Sequence, residues 1–354
     1  MCDFRQRLGA DLSSAGLFGD ADARAACTVR ASERGLAALA EVEQLVGADT
    51  MSRALSTRRG ARWAETYCYV AGYGELMTEF LSAPVRLQAA ATGRIARIGA
   101  FANLIVSHFD ELVDGGWPRP LLLPRWALAL STSRAGRVLL RVGMNVVPAQ
   151  TRLIVLLVGE YFRRIAGLPN ATRHARARAD LRRAIVQMYA EEGRSPREWE
   201  RRRGSSTLQK KTALPLVVLG QAAWLASNDC TAVRYETHRR WLIRVGKFIR
   251  WIDDAADLDE DRSAGASNLV IRALARRPSE GHAARLSAGI ARRGRRVLDD
   301  WFAMTELPHD AAGDQTVVLA TVLTAWIVPE RAAHVARASI PPAPVSRTRA
   351  TGRP

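Results

Sequence analysis

The hydrophobic positions of the chain recur with helical rather than alternating spacing. Residues 32–46 carry apolar side chains from Leu36 to Val46 close to the i, i+3, i+4, i+7 stripe of an amphipathic helix. No run of β-branched residues is flanked by turn signals, so we predict an all-α fold. The same spacing predicts further helices over residues 61–81, 93–114, 125–143, 151–167, 174–192, 207–226, 231–261, 283–304 and 313–335.

The lengths of these segments favour a single large helical bundle, since no internal period indicates a repeat array. Residues 1–30 are small, polar and weakly patterned, and we expect a loosely ordered N-terminal arm there. Residues 31–335 would form the all-α domain. Residues 336–354 are rich in Pro and Arg with few apolar side chains, which predicts a disordered tail.

No segment of the sequence predicts a membrane span or a secretory signal. Residues 212–226 are apolar but short and contain Pro215, and residues 137–158 are interrupted by arginines. The N-terminus has charges but no apolar h-region. The four cysteines form neither a CxxC pair nor a zinc spacing, which suits a reducing compartment. We therefore expect a cytoplasmic protein without a transmembrane segment.

The chain carries a formal net charge of +17. Only three of its 52 basic residues are lysines, and the arginines are scattered along the whole chain. This distribution favours a general arginine surplus over a dedicated surface for nucleic acid. A basic helical protein that binds nucleic acid or a membrane surface without catalysis stays open as a remote alternative, and an acidic small molecule such as a diphosphate also suits the excess.

The first of two acidic clusters closes an apolar helix and reads Asp-Glu-Leu-Val-Asp over residues 110–114. Asp110, Glu111 and Asp114 lie within one helical turn, so their carboxylates project to one side. Like charges at this spacing repel, and they lie at the negative end of the helix dipole. A bound cation would relieve both effects, while a solvated helix end is the plain alternative.

The second acidic cluster is denser, with six acids among residues 253–261. Asp253, Asp257 and Asp261 recur at i, i+4 and i+8 and so form one stripe along a helix. Mg²⁺ takes one or two carboxylates together with phosphate oxygens. The stripe therefore indicates a divalent-metal site, with an acidic surface patch balanced by nearby arginines as the alternative.

The three lysines lie near these acidic clusters. Lys210 and Lys211 open an apolar helix between them, and Lys247 lies shortly before Asp253. As compact point charges, lysines suit phosphate groups. Two acidic stripes on opposing walls of one cavity, with lysines between them, would hold a diphosphate through divalent cations.

Together these residues resemble the class I isoprenoid synthases, the polyprenyl diphosphate synthases and terpene synthases. That family has a DDxxD motif, a Lys-Thr pair and then Gly-xxx-Gln-xx-DDxxD, and the matching residues here are 110–114, Lys211-Thr212 and Gly246 followed by 253–257. Order and spacing hold from residue 60 to residue 275 or so. The resemblance implies an isoprenoid synthase-like bundle around a deep central cavity and a homodimer.

The resemblance also implies a cofactor and a role for each site residue. Three Mg²⁺ ions would assemble between the acidic motifs and the diphosphate of a prenyl diphosphate substrate, with Asp110, Asp114, Asp253 and Asp257 as the catalytic carboxylates. The implied residues are, for the metal, Asp110, Glu111, Asp114, Asp253, Asp254, Asp257 and Asp261 and, for the diphosphate, Arg119, Lys211 and Arg250.

Departures from the family pattern favour one diphosphate site over two. The family's Arg-Arg after the first motif is Arg119-Pro120 here, its later Gly-Lys is Gly265-Ala266, and its motif Gln is Arg250. Its upstream basic motif is echoed only weakly by residues 60–65. Because the upstream cations and the second arginine bind isopentenyl diphosphate in chain-elongating members, we expect a terpene synthase that ionises one prenyl diphosphate and cyclises or rearranges the allylic cation.

The main alternative is a prenyltransferase, either a polyprenyl diphosphate synthase that condenses isopentenyl diphosphate or an enzyme with another acceptor. In either enzyme, aromatic side chains would stabilise the carbocation, although ordinary core packing would also explain each aromatic near the motifs. His108 is expected on the helix surface or in support of the first motif rather than as a base. The aromatic candidates are Phe101, Phe109, Tyr189, Trp224, Phe248 and Trp251.

Overall fold

The computed structural model describes residues 4–55, 60–114, 135, 138, 148–192, 205–229, 231–266, 268–305 and 309–327. All regular secondary structure in these ranges is helical, which confirms the prediction of an all-α fold. None of the helices described is both long enough and apolar enough to cross a membrane.

The described helices are α-helical apart from a 3₁₀ turn, Ala222–Leu225, which extends one of them. Their bounds are α1 Phe4–Ser14, α2 Ala21–Val46, α3 Ala48–Leu55, α4 Gly60–Ser82, α5 Ala89–Asp114, α6 Ala149–Ala166, α7 Ala175–Glu192, α8 Ser205–Gln221, α9 Ala232–Ala256, α10 Leu258–Ala264, α11 Leu269–Arg276, α12 Glu280–Thr305 and α13 His309–Ile327.

The N-terminal residues form helices rather than the loosely ordered arm expected over residues 1–30. Leu8 and Leu12 of α1 are fully buried, because α1 packs against α12 and α13. Asp20 then caps α2, its carboxylate accepting the backbone N–H groups of residues 22 and 23. The helical domain therefore includes residues before 31, whereas the predicted tail, 336–354, lies outside the described residues.

Helix α4 lies at the centre of the described helices and packs closely against α2 and α5. Glycines permit this approach. A Cβ on Gly35 would lie 1.6 Å from the carbonyl oxygen of Cys68, and one on Gly72 would lie 1.7 Å from that of Ala31. The backbones of α2 and α4 are therefore in direct contact, which a side chain at either glycine would prevent.

Helices α8 and α9 cross in the same way near the acidic motif. A Cβ on Gly246 of α9 would lie 2.4 Å from the Cα atom of Ala213 of α8. Helix α8 also packs against α4, α5 and α7. It therefore connects the helix that ends in residues 110–114 with the helix that ends at the second acidic cluster.

Large aromatic side chains fill the core where α4, α9 and α12 meet. Phe80 stacks on Trp301 with ring centroids 5.1 Å apart, and the indole N–H of Trp301 donates to the carbonyl oxygen of Phe80 at 2.8 Å. The indole N–H of Trp241 donates to the carbonyl oxygen of Val297 at 3.0 Å. Each buried indole thus has the hydrogen-bond acceptor that its burial requires.

His238 is buried in this core as a neutral imidazole. The indole N–H of Trp224 donates to its Nδ1 atom at 2.9 Å, so the proton resides on Nε2, which donates to the carbonyl oxygen of Leu81 at 2.8 Å. Burial lowers the pKa of His238 to about 4. Protonation would place two N–H groups against each other, so the neutral form belongs to the folded state.

A cluster of ion pairs joins α2, α4, α5 and α6. The Nε atom of Arg97 lies 2.9 Å from Glu75, and the guanidinium of Arg164 lies 2.7 Å from Glu41 and 2.8 Å from Glu160. Burial raises the pKa of Glu75. Burial would also raise the pKa of Glu160, but its arginine partners outweigh burial and lower it. Arg97 and Arg164 therefore link these helices through ion pairs with glutamates.

Replacing Gly246 by alanine should force α8 and α9 apart. We expect Gly246→Ala to lower the free energy of unfolding by about 1–3 kcal/mol, the usual cost of overpacking. Gly93→Ala is the matched control, since a Cβ there meets nothing within 4 Å. Helix propensity should make that variant more stable by up to about 1 kcal/mol. Equal urea midpoints for the two variants would contradict the close crossing.

His238 should make the protein less stable as the pH falls below about 6.5. Since its folded pKa lies below its unfolded one, the unfolded chain takes up the proton first, and stability drops by about 2 kcal/mol between pH 6.5 and 5. The same urea titrations on His238→Phe should show a shallower loss over this range, because the carboxylates titrate alike in both proteins. Parallel curves would contradict the neutral assignment.

Candidate functional site

The second acidic cluster spans the junction of α9 and α10. Asp257 caps the end of α9, where its N–H donates to the carbonyl oxygen of Asp253 at 3.0 Å. The N–H of Asp261 then donates to the carbonyl oxygen of Asp257 at 2.8 Å. The hydrogen-bond pattern thus continues across the junction, and the three residues follow one another by single helical turns, as the spacing predicted.

Arg250 pairs with two acids of the cluster. Its Nη1 donates to Oδ2 of Asp253 at 3.1 Å, and its Nη2 lies 2.5 Å from Oδ1 of Asp254. The second contact is an ion pair rather than a well-aligned hydrogen bond. The arginine side chain is only 12% exposed. The residue expected to bind diphosphate is therefore engaged by carboxylates of its own helix.

Asp254 is a buried structural acid, with 1% of its surface exposed. Besides Arg250, its carboxylate accepts the backbone N–H of Leu269 at 2.9 Å. Burial raises the pKa of Asp254 to about 6, against the opposing effects of Arg250 and this N–H. One carboxylate oxygen of Asp254 thus contacts Arg250 and the other accepts the N–H of Leu269. The carboxylate that we expected to bind a metal ion is therefore already engaged within the protein.

Asn268 ties the acidic cluster to α11. Its side-chain N–H₂ group donates to the carbonyl oxygen of Asp254 at 2.6 Å and to Oδ2 of Asp261 at 2.8 Å. Its Oδ1 accepts the N–H of Ile271 at 3.0 Å and so caps α11. With 1% of its surface exposed, Asn268 fixes the position of Asp261 relative to the end of α9.

Asp257 is exposed and surrounded by like charges. Partial burial of its carboxyl group, together with the negative charges of Asp253, Asp261 and Glu260, raises the pKa of Asp257 to about 6. Because the residue as a whole remains exposed, we ascribe more of this shift to the neighbouring charges. A cation bound here would relieve the repulsion.

The first acidic cluster lies at the end of α5. Asp110 is partly buried, and the backbone of residues 111–114, including Glu111 and Asp114, continues the helix. The side chains of 111–114 lie outside the description. Helix α5 packs against α8, as α9 does. Both acidic clusters therefore end helices that share α8 as a neighbour.

His108, next to the first cluster, is buried rather than exposed. Its Nε2 lies 3.2 Å from the carbonyl oxygen of Gln150, and its Nδ1 is bonded to the hydroxyl group of Tyr67. Burial lowers the pKa of His108 to about 4. The ring thus joins α4, α5 and α6 two residues before Asp110 and supports that end of α5, as one of the two expectations had it.

The other predicted diphosphate ligands are only partly described. Lys211 lies on α8 two residues before Ala213, which contacts Gly246, while its side chain lies outside the description. Arg119 lies outside the described residues altogether. Of the three expected ligands, Arg250 is therefore the one whose side chain lies within the described part of the chain.

Most of the aromatic candidates belong to the packed core. Phe101, Trp224 and Phe248 have no more than 1% of their surface exposed, and Phe109 has 3%. Trp251 is partly buried, with a guanidinium group 5.3 Å from its ring centre. The side chain of Tyr189 lies outside the description. Core packing accounts for the four buried rings, as the alternative interpretation had it.

A cavity of about 810 Å³ borders the reverse face of the acidic run. Ala255 and Ala256 line it, together with Phe4 of α1 and Ile271 of α11. Since each residue turns about 100° around a helix, Ala255 faces away from Asp253. The cavity is therefore separate from the stripe of carboxylates.

The carboxylate donors fit Mg²⁺. Within the described ranges, no three acidic, His or Cys side chains form a ready-made metal cage. Mg²⁺ does not need one, because it takes one or two carboxylates and completes its shell with water and phosphate oxygens. Asp253 and Asp257 on successive turns are hard oxygen donors, and the negative charges of Asp253, Asp261 and Glu260 act on Asp257.

Asn268 is the residue of this site that the sequence-based reasoning misses. Asn directly before Leu-Val-Ile is a helix-capping signal that points to it. The pairing of Arg250 with Asp253 and Asp254 agrees with the alternative of an acidic patch balanced by nearby arginines, and its i, i+3 and i, i+4 spacing is the signal that indicates it.

No protein-family model and no curated protein matches the sequence. Among solved structures, the chain is similar to a polyprenyl synthetase from Streptomyces coelicolor A3(2), with 15% identity and a TM-score of 0.40 over 81% of this chain and 99% of that one. Similarity at this level carries no information about activity, which has to come from the residues of this chain.

Substitutions of the buried Asp254 and of the exposed Asp257 should have different effects on the stability of the protein. Asp254→Ala leaves Arg250 without its buried partner, and we expect it to lower the free energy of unfolding by about 3–5 kcal/mol. Asp257→Asn removes a negative charge that neighbouring carboxylates repel. This variant should be as stable as the unaltered protein at pH 7, or slightly more stable. Thermal unfolding followed by circular dichroism compares them, and equal losses in both variants would refute the distinction.

Proposed function

We propose that the chain is a Mg²⁺-dependent class I isoprenoid synthase that ionises a prenyl diphosphate and cyclises or rearranges the allylic cation. The observation that carries this proposal is the stripe of Asp253, Asp257 and Asp261 at the end of α9. That helix is in backbone contact with α8, which bears Lys211. Carboxylates can bind divalent metal ions, and a nearby lysine can bind the phosphate groups that those ions contact.

Carboxylates from both helix ends would hold the metal ions in this proposal. Asp110, with Glu111 and Asp114, would act at the end of α5, and Asp253, Asp257 and Asp261 at the end of α9. When bound, Mg²⁺ supplies Lewis-acid neutralisation of the leaving diphosphate. Lys211 and Arg119 would add fixed positive charge to the same oxygens.

The surrounding core would keep water from the reacting cation. The helices that carry the motifs pack through fully buried rings such as Phe101 and Phe248.

We expect diphosphate release from a prenyl diphosphate alone. Ten-, fifteen- and twenty-carbon allylic diphosphates with Mg²⁺ should each be tested for pyrophosphate, with the organic products identified by mass spectrometry. Asp257→Asn should slow release by at least about 10²-fold, the usual loss when one group that stabilises developing charge is removed. The polypeptide should keep its helical circular dichroism spectrum.

Asp259→Asn is the matched control from the same acidic run. Its side chain is 95% exposed and lies 3.4 Å from Arg262, and the residue lines the cavity on the reverse face. Its activity should therefore equal that of the unaltered protein. Equal activity of both Asn variants would refute the stripe as the metal-binding wall.

The same assay separates the alternatives. A strict requirement for isopentenyl diphosphate would favour a polyprenyl diphosphate synthase, and a requirement for another acceptor would favour a different prenyltransferase. Salt-sensitive DNA binding without any Mg²⁺-dependent pyrophosphate release would favour the basic non-catalytic protein. The homodimer expected from the resemblance would give twice the 38.8 kDa chain mass in light scattering.

A further inference from the structure

Resting on the proposed function, we infer that Arg250 is a resident cation of the acidic motif. Its guanidinium lies between Asp253 and Asp254 and supplies positive charge that a divalent ion would otherwise supply there. The end of α9 then binds a divalent ion weakly by itself and takes it up together with diphosphate. Arg250 is thus a positioning residue that couples metal binding to diphosphate binding.

The geometry of the arginine favours a permanent structural role. Arg250 lies three and four residues before its partners, so one helical turn brings the guanidinium over both carboxylates. Separate Nη atoms contact Asp253 and Asp254, at 3.1 Å and 2.5 Å. With 12% of its side chain exposed, the arginine is held in this position rather than extended into water.

Asp254, the buried partner of Arg250, is also fixed by hydrogen bonds. Asp254 also accepts the N–H of Leu269 at 2.9 Å, and its carbonyl oxygen accepts from Asn268 at 2.6 Å. Arg250 therefore cannot swing away without leaving a buried carboxylate without its counter-charge, which is strongly unfavourable. A metal ion that approaches Asp253 meets a guanidinium fixed in place.

Charge explains the consequence for metal binding. A guanidinium stays protonated at any pH at which the protein folds, so its charge is permanent. It offsets part of the negative charge that Asp253 and Asp254 would present to a divalent ion and repels that ion at close range. A diphosphate brings negative charge of its own, and this restores the attraction. Metal and diphosphate should therefore bind together rather than in sequence.

The test measures Mn²⁺ binding, without turnover, by electron paramagnetic resonance and calorimetry. The unaltered protein should bind Mn²⁺ weakly alone and markedly tighter with inorganic pyrophosphate. Arg250→Gln removes the resident charge and should bind Mn²⁺ alone about tenfold tighter. Mn²⁺ should also raise the Tm of Arg250→Gln while leaving that of the unaltered protein nearly constant. Arg250→Lys keeps the charge and should bind Mn²⁺ alone less tightly than Arg250→Gln does.

Arg244→Gln is the matched control for the lost charge. Arg244 lies on the same helix and pairs with Asp300 at 3.0 Å, with half of its side chain exposed. Its loss changes the net charge equally but leaves the acidic motif intact, so Mn²⁺ affinity should not change. A gain in this control equal to that of Arg250→Gln would overturn the proposal.

A second variant covers the case in which Arg250→Gln fails to fold. In Arg250→Gln with Asp254→Asn, two neutral amides replace the buried ion pair, while Asp253 keeps its charge. This variant should also bind Mn²⁺ more tightly than the unaltered protein does. Affinity unchanged in both variants, or in the double variant when the single one does not fold, would refute the resident cation.

The outcome is independent of the proposed reaction. If the protein releases no pyrophosphate from prenyl diphosphates but Arg250→Gln gains Mn²⁺ affinity, the proposed function fails and the resident cation stands. If it releases pyrophosphate and neither variant gains affinity, the resident cation fails alone.

Discussion

The buried ion pair between Arg250 and Asp254 fixes the end of α9, and with it the direction of the second acidic motif. Burying two charges is costly unless each finds partners, so such a pair contributes orientation more than stability. Here Leu269 and Asn268 supply further hydrogen bonds to the acid residue. The end of α9 is therefore fixed by hydrogen bonds to residues at the start of α11 and by an ion pair with Arg250 of α9 itself.

This arrangement divides the acids of the motif into two kinds. Asp254 is buried and paired within the fold, and Asp261 accepts a hydrogen bond from the side chain of Asn268. Asp257 is exposed as a residue, and partial burial of its carboxyl group together with the neighbouring negative charges raises its pKa to about 6. A run of acids that looks uniform in sequence thus contains one structural carboxylate and one that is suited to bind a cation.

The close crossing of α8 and α9 is the second constraint on the site. Because Gly246 has no side chain, the backbone of α9 contacts Ala213 of α8 two residues beyond Lys211. Helix α8 also packs against α5, which ends in the first acidic cluster. The spacing of α8 and α9 therefore depends on small residues at their crossing.

The sequence predicted the helical class well because amphipathic spacing extends over most long segments. It missed α1, although Phe4, Leu8 and Leu12 recur at i, i+4 and i+8 and are the apolar residues that α1 buries as it packs against α12 and α13. It also joined α9 and α10 into one helix, because nothing in the acidic run signals the end at Asp257. The burial of Asp254 depends on α11, which no local pattern around residue 254 reveals.

The most direct measurement is a crystal structure with Mn²⁺ and inorganic pyrophosphate, in which anomalous scattering locates the metal. One pyrophosphate should lie between the two acidic helix ends, with Mn²⁺ bound to Asp257 on one side and Asp110 on the other and with Arg250 still on Asp254. Manganese found only away from both clusters, or two clusters facing apart with no pyrophosphate between them, would contradict a shared diphosphate pocket.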